Sequence, residues 1–266
     1  MLLRFPAFIP RFVLVLLVVL PAVAGLPAAA RVTETEHSGA EALPCGNATG
    51  NDMQTIYFFS GLGADARAFD RLELPGCRII HIRWIDPLKG ESMADYARRL
   101  SEQITVAHPV LVGLSFGGMM AIEVSRIIPV QKLVLISSAK TAGELAANKS
   151  FFLKWGLYKY LPGSWITKPN FMVYRLFGAA SPADKALLAA ILEDTDPRFY
   201  RWAMNGMVHW DNSYIPAHLI HIHGTADRII PFQNVKADFA IEGGGHLMVY
   251  NRAAEISRII RDYLNL

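Results

Sequence analysis

A serine hydroxyl is a weak nucleophile, so a chain that uses one for acyl transfer must add a base, a group that orients the base, and amide donors for the oxyanion. Residues Val110-Leu-Val-Gly-Leu-Ser-Phe-Gly-Gly118 place Ser115 between Gly113 and Gly117, after an apolar strand and before a helical pattern starting near Phe116. That is the context of a nucleophile elbow. Such a turn strains the serine backbone and pushes the hydroxyl beyond the sheet, and a side chain at either flanking glycine would strike the crossing chain. The following helix directs its N–H groups and positive dipole end at the same spot, which predicts the Phe116 N–H as one oxyanion donor. A plain strand turn is the structural alternative, and the flanking strand and helix argue against it.

The base is predicted at His246, in Glu242-Gly-Gly-Gly-His246-Leu247, where a glycine-rich loop precedes the last helical pattern. The orienting acid is predicted at Asp227, because Leu219-Ile-His-Ile-His223 runs as a strand into Gly224-Thr-Ala-Asp227. This puts Asp227 at the carboxyl end of its strand, the same edge as Ser115. An aspartate that merely stabilises its own turn is the simpler reading of that position. The second oxyanion donor is expected after the first strand, in Phe58-Phe-Ser60-Gly61-Leu62-Gly63, with Leu62 N–H the candidate and Gly63 the alternative. His221 and His223 share one strand face, but no third ligand or matching carboxylate accompanies them, so both are expected to be structural.

The elements that must position these residues alternate. Thr55–Phe59, Arg78–Trp84, Pro109–Gly113, Lys132–Ile136 and Leu219–His223 read as buried strands. Between them, Ser92-Met-Ala-Asp95 opens a helix carrying Tyr96, Leu100 and Ile104 on one stripe, and Phe116–Ile128 and Ala253–Leu264 read as further helices. In the last helix Ile256, Ile259, Ile260 and Tyr263 form the inward face. Alternation of this kind predicts the α/β class, a mostly parallel sheet with helices on both faces. Residues 141–212 break it: they hold no strand run but many aromatics, and they are too long for a plain connection, so a helical insertion over one end of the sheet is expected.

Taken together, Gly113–Gly117, His223–Asp227 and Gly245–His246, in the order Ser115, Asp227, His246, resemble the α/β-hydrolase superfamily, over residues 54–266. The resemblance implies eight mostly parallel strands, a Ser-His-Asp triad and a helical lid at about 141–212. One departure stands out: Ser60-Gly61 occupies the place where many relatives have His-Gly, which affects the shape of the loop carrying Leu62. A serine nucleophile argues against the haloalkane dehalogenase and epoxide hydrolase branches. The expected activity is cleavage of carboxylic esters or thioesters through an acyl-enzyme, with a small-molecule acyl substrate and no metal or organic cofactor. A peptidase, a C–C bond hydrolase or lyase using the same triad, and a non-catalytic ligand-binding homologue are the alternatives. The aromatics of the insertion suggest an apolar acyl or aryl substrate, unless they are simply core.

Composition sets the outer bounds. With 266 residues, 52% hydrophobic and 18% charged, the chain must have a core. A formal charge of +3 is far from the concentrated basic surface of a nucleic-acid binder. Residues 1–30 carry Arg4 and Arg11, no acid, an apolar run from Phe12 to Leu20 and the small-residue end Ala28-Ala-Ala30. That order predicts an export signal cut before Arg31, hence a secreted or periplasmic protein. An uncleaved N-terminal membrane anchor is the alternative, disfavoured by Pro21, Gly25 and Pro27. Residues 31–53 read as a polar tail. Cys45 and Cys77 either form one bridge after export or remain separate thiols. Asn47-Ala-Thr49 and Asn148-Lys-Ser150 fit the glycosylation pattern, which has meaning only in a eukaryotic source.

Overall fold

The computed structural model describes residues 53–146 and 169–266. The predicted export signal, the tail up to Asp52, Cys45, both glycosylation patterns and the aromatics Phe151, Phe152, Trp155, Tyr158, Tyr160 and Trp165 lie outside the described residues. Among the described residues no helix is long and apolar enough to cross a membrane.

Six strands form one wholly parallel sheet: β1 (Gln54–Phe59), β2 (Cys77–His81), β3 (Val110–Leu114), β4 (Lys132–Ile136), β5 (Leu219–Gly224) and β6 (Phe239–Ile241). Their spatial order is β2-β1-β3-β4-β5-β6. The described residues thus hold six strands where the resemblance implies eight. Strand β6 escapes a pattern-based reading because it is three residues long and exposes Phe239 and Ala240. Strand β2 stops at His81, short of the expected Trp84: the last sheet bond runs from Ile82 N to Phe58 O, and Trp84 then leaves the sheet to pack on Phe116.

Successive residues of a strand point to opposite faces, and β1 divides accordingly. Tyr57 and Phe59 join Leu111, Leu133 and Leu135 under α1 (Met93–Ser101) and α2 (Phe116–Ser125). Ile56 and Phe58 join Val110, Val112, Val134 and Ile136 on the other face, covered by α8 (Ala253–Leu264) through Ile256, Ile259, Ile260 and Leu264. Each of those four side chains contributes roughly 1.5–3 kcal/mol by leaving water. Tyr263 is only partly buried and donates its hydroxyl to His218 O at 2.8 Å, so Leu264 takes the inward place expected of it. Helix α1 is capped by Ser92, whose oxygen accepts from Asp95 N at 3.1 Å. Helix α2 ends at Ser125, three residues before the expected Ile128. Pro129 disfavours helical backbone at the residue before it, which helps to end the helix.

Between β4 and β5 the described chain forms α3 (Ala142–Ala146), α4 (Phe171–Phe177), α5 (Pro182–Glu193) and α6 (Pro197–His209), with no strand. Ser181 opens α5 with a reciprocal capping box to Asp184 and Pro182 in the first turn. Two helices follow β6: the four-residue α7 (Met248–Asn251) and, after Arg252, the twelve-residue α8.

The chain runs from β1 outward to β2 and then returns to β3 on the other side of β1. A reversal of this kind opens a crevice beyond the carboxyl ends of the two strands. Ser115 follows β3 and Leu62 follows β1, so both sit at that crevice.

Candidate active site

Ser115 has φ 51° and ψ −121°, a region that non-glycine residues rarely occupy. Its surroundings hold it there. Ser115 N donates to Ile136 O at 2.9 Å, and the Ser138 hydroxyl donates to Ser115 O at 2.7 Å. The neighbouring glycines are required by contact. A Cβ on Gly113 would lie 2.4 Å from Gly118 Cα, and one on Gly117 would lie 2.2 Å from Ser60 O. Gly118 is a third such position, facing Ser138 Oγ at 2.4 Å. The sequence pattern points to the first two glycines; the third is needed because α2 crosses directly over Ser138.

Beside the serine, His246 is buried, with Nε2 2.9 Å from Ser115 Oγ and Nδ1 2.8 Å from Asp227 Oδ2. A carboxylate can only accept, so Nδ1 carries the proton and Nε2 is the lone-pair nitrogen facing the Ser115 hydroxyl. Asp227 Oδ1 accepts from Ile229 N at 2.8 Å and Ile230 N at 2.9 Å. The turn-stabilising and histidine-orienting readings of Asp227 therefore describe two oxygens of one carboxylate. Burial alone would raise its pKa. The His246 charge and hydrogen bond, with the Ile230 N–H, outweigh that and hold the carboxyl below the ordinary carboxylate range.

Two glycines bring base and acid together. A Cβ on Gly224 would lie 2.2 Å from Gly244 O, so β5 and the histidine loop approach backbone to backbone. Ala226 N donates to that same Gly244 O at 2.9 Å, and Gly243 N donates to the Thr225 hydroxyl oxygen at 2.9 Å. On the other side, the end of α4 seats the histidine. Leu247 N donates to Phe177 O at 2.8 Å, the Phe177 ring meets the His246 ring edge-on with centroids 5.6 Å apart, and a Cβ on Gly178 or Gly245 would stand a tight 3.0 Å from the other's Cα.

His221 and His223 lie behind the acid. His223 Nε2–H donates to Ile230 O at 2.8 Å, which leaves its Nδ1 to accept from His221 Nε2–H at 3.0 Å. His223 Nε2 also lies 3.5 Å from Asp227 Oδ2. Burial holds both imidazoles below the ordinary histidine range. Three of their four ring nitrogens are thus engaged behind the strand end that carries Asp227, while the buried His221 Nδ1 has no hydrogen-bond partner among the described residues.

Residues 61–64 form a turn closed by Ala64 N donating to Gly61 O at 3.0 Å, with Gly63 at φ +73°. In such a turn the N–H of the second residue has no partner inside the turn. Leu62 is that residue, and with Gly61 and Ser115 it lines the cavity; a Cβ on Gly61 would sit 3.6 Å from Ser115 Cβ. The Phe116 N–H belongs to the first turn of α2, where backbone donors have no helical acceptor. The two predicted donors belong to the segments that follow β1 and β3, which are adjacent strands.

The cavity has a volume of about 440 Å³ and reaches from Ser115 and His246 between α4, α5 and α6. Its described walls are mostly aliphatic and thioether side chains such as Leu176, Leu188, Ile191, Met204, Met207 and Ile230, joined by the Phe177 ring and by Thr195 and Tyr200. The insertion's described aromatics largely go elsewhere. Phe199 and Trp202 stack with Trp84, Tyr96 and Phe116, and Trp210 donates its indole N–H to the buried Glu123 at 2.7 Å. Sequence reasoning assigns no role to Ser60, Trp84, Ser138 or Glu123, because each acts through contacts between segments far apart in the chain.

A family model described as "Alpha/beta hydrolase family" matches residues 49–259. The chain belongs to this family. This α/β hydrolase is similar in structure to a thermophilic esterase from Thermogutta terrifontis, at 18% identity and TM-score 0.59, over 80% of this chain and 89% of that one. It is also similar to Est816, described as an N-acyl homoserine lactone degrading enzyme, at 19% identity and TM-score 0.56, over 79% and 93% of the two chains. A meta-cleavage product hydrolase from Pseudomonas fluorescens IP01 matches at 16% identity and TM-score 0.55, over 80% and 90%. At these identities the likeness establishes the fold. No curated protein sequence matches the chain.

Proposed function

We propose that this α/β hydrolase is an exported serine hydrolase that cleaves carboxylic esters or thioesters with an apolar acyl group. The observation that carries the reading is the unbroken relay Ser115–His246–Asp227 at the end of an aliphatic cavity. Ser115 Oγ bonds to the substrate carbonyl carbon as its proton passes to His246 Nε2. The imidazolium so formed is stabilised by the Asp227 carboxylate, whose other oxygen accepts from the Ile229 and Ile230 N–H groups. The Leu62 and Phe116 N–H groups take the negative oxygen. On collapse, the C–O or C–S bond breaks and His246 returns the proton to the leaving alcohol or thiol. Water then repeats the sequence on the acyl-enzyme and releases the acid.

Among the described residues the cavity walls are mostly aliphatic, with Phe177 and Tyr200 the aromatic members, and this favours an alkyl acyl chain over an aryl one. In this proposal helices α3 to α6 serve as the lid over the site, and residues 1–30 direct export.

Labelling with a fluorophosphonate tests the nucleophile: wild type is labelled and Ser115→Ala is not. A panel of p-nitrophenyl esters then tests the acyl group, with medium-chain alkyl esters expected to exceed acetate and benzoate in kcat/KM. An unlabelled wild type refutes the mechanism, and a preference for benzoate refutes the acyl assignment. N-terminal sequencing of exported protein is expected to begin at Arg31.

A further inference from the structure

Ser60 stands at the position where the sequence departs from many relatives, and the structure gives its hydroxyl two partners. It donates to Ala64 O at 2.6 Å and accepts from Trp84 Nε1 at 3.0 Å. The first bond closes the Gly61–Ala64 turn from the side opposite the Ala64 N to Gly61 O bond, so both ends of Ala64 are tied back to the start of the turn. The second bond fixes the turn to an indole whose ring packs against the Phe116 ring, with centroids 5.5 Å apart. Trp84 is held in turn by Phe199 and Tyr96, at 5.4 Å and 6.4 Å. Ser60 itself is only 4% exposed.

We infer that Ser60 and Trp84 are positioning residues that set the separation of the two oxyanion donors. The Leu62 N–H is carried by the turn that Ser60 clamps, and the Phe116 N–H by the residue whose ring Trp84 touches, so one side chain is linked to both supports. The inference rests on the proposed serine-hydrolase reading and adds to it the way in which the oxyanion site is preorganised. Losing the Ser60 hydroxyl leaves Ala64 O and the indole N–H without this partner and frees the turn to shift. Trp84→Phe removes the indole N–H together with part of the ring area that packs on Phe116 and Phe199, and breaks the link between the two donors.

Two variants test this, Ser60→Ala and Trp84→Phe, each measured with a medium-chain p-nitrophenyl ester, a trifluoromethyl ketone of the same chain length and the matching alkyl ether. The ketone forms a reversible adduct: Ser115 Oγ bonds to its carbonyl carbon, the proton moves to His246 and the carbonyl oxygen becomes the oxyanion. The ether has no carbonyl and reports on cavity binding alone. Misplacement of a catalytic donor by about 1 Å costs on the order of 100-fold. Each variant is therefore expected to lose about 10- to 100-fold in kcat and the same factor in ketone affinity, with KM and ether affinity unchanged. Ketone affinity equal to wild type, or ketone and ether affinity falling together, overturns the assignment whatever happens to the melting temperature. Fluorophosphonate labelling separates the two levels. A labelled wild type with unaffected variants overturns the positioning role alone, whereas an unlabelled wild type overturns that role and the parent reading together.

Discussion

Replacing Gly117 with alanine probes the contact on which the elbow depends. The new Cβ would stand 2.2 Å from Ser60 O, 2.3 Å from Phe59 O and 2.6 Å from Phe59 C, all main-chain atoms at the end of a central strand. Cβ atoms essentially never approach closer than 3.0 Å, so α2 and the end of β1 must separate by about 0.8 Å. No side-chain rotation relieves this. Overpacking of that kind costs about 1–3 kcal/mol, which for a domain of this size lowers the melting temperature by roughly 2–12 °C. The function suffers more than the fold, because the same displacement moves the turn bearing Leu62 away from Ser115. A loss on the order of 100-fold in kcat is expected, with KM little changed. Differential scanning fluorimetry and p-nitrophenyl ester kinetics read the two quantities. Gly143→Ala supplies the control: among the described residues its Cβ meets only Thr141 Oγ1, at 3.6 Å, inside α3. That variant should be neutral or gain up to about 1 kcal/mol. A Gly117→Ala protein with wild-type melting temperature and kcat, or a Gly143→Ala protein that loses as much, would refute the reasoning.

Three other variants probe the site and the core beside it. Asp227→Asn should lower kcat about 10³- to 10⁴-fold by disturbing the histidine tautomer. Because the folded-state pKa of Asp227 is depressed, its carboxylate stabilises the fold above the unfolded value of about 3.9 and loses that contribution as pH falls through the folded value. Melting temperature recorded from pH 6 down to pH 2 should therefore fall less steeply in the asparagine variant, over the lower part of that range. Gly224→Ala places a Cβ 2.2 Å from Gly244 O and should push the His246 loop off the acid, abolishing ester turnover; undiminished activity would contradict the backbone contact. Trp210→Phe leaves the buried Glu123 Oε1 without its indole donor and should destabilise by about 1–3 kcal/mol in urea titration.

The three chemical residues were legible because each belongs to a local pattern with a mechanical cause. Glycines flank Ser115 where chains cross, Asp227 caps the turn that ends a buried strand, and glycines precede His246 on a loop. The Leu62 assignment needed only a strand end followed by small residues, and the turn closed by Ala64 N and Gly61 O has Leu62 as its second residue. What the sequence could not express are relations between distant segments. Ser60 reads there only as a departure from a common dipeptide, and its clamp to Trp84 depends on β2 ending early enough for the indole to turn inward. The aromatics of the insertion pose the same problem: Phe199 and Trp202 join the core beside the site, while the α6 residues Met204 and Met207 face the cavity. Strand β6 is too short and too exposed for alternation to reveal it.

The tight meeting of Gly178 with Gly245, reinforced by the Phe177 carbonyl, means that the base is seated partly by a segment inserted more than sixty residues earlier in the chain. Modular exchange of that segment between homologues is therefore constrained at one end. A transplanted segment without glycine at this seam, or with the carbonyl turned away from Leu247 N, would disturb the seat of the imidazole, so such an exchange is restricted at the close of α4.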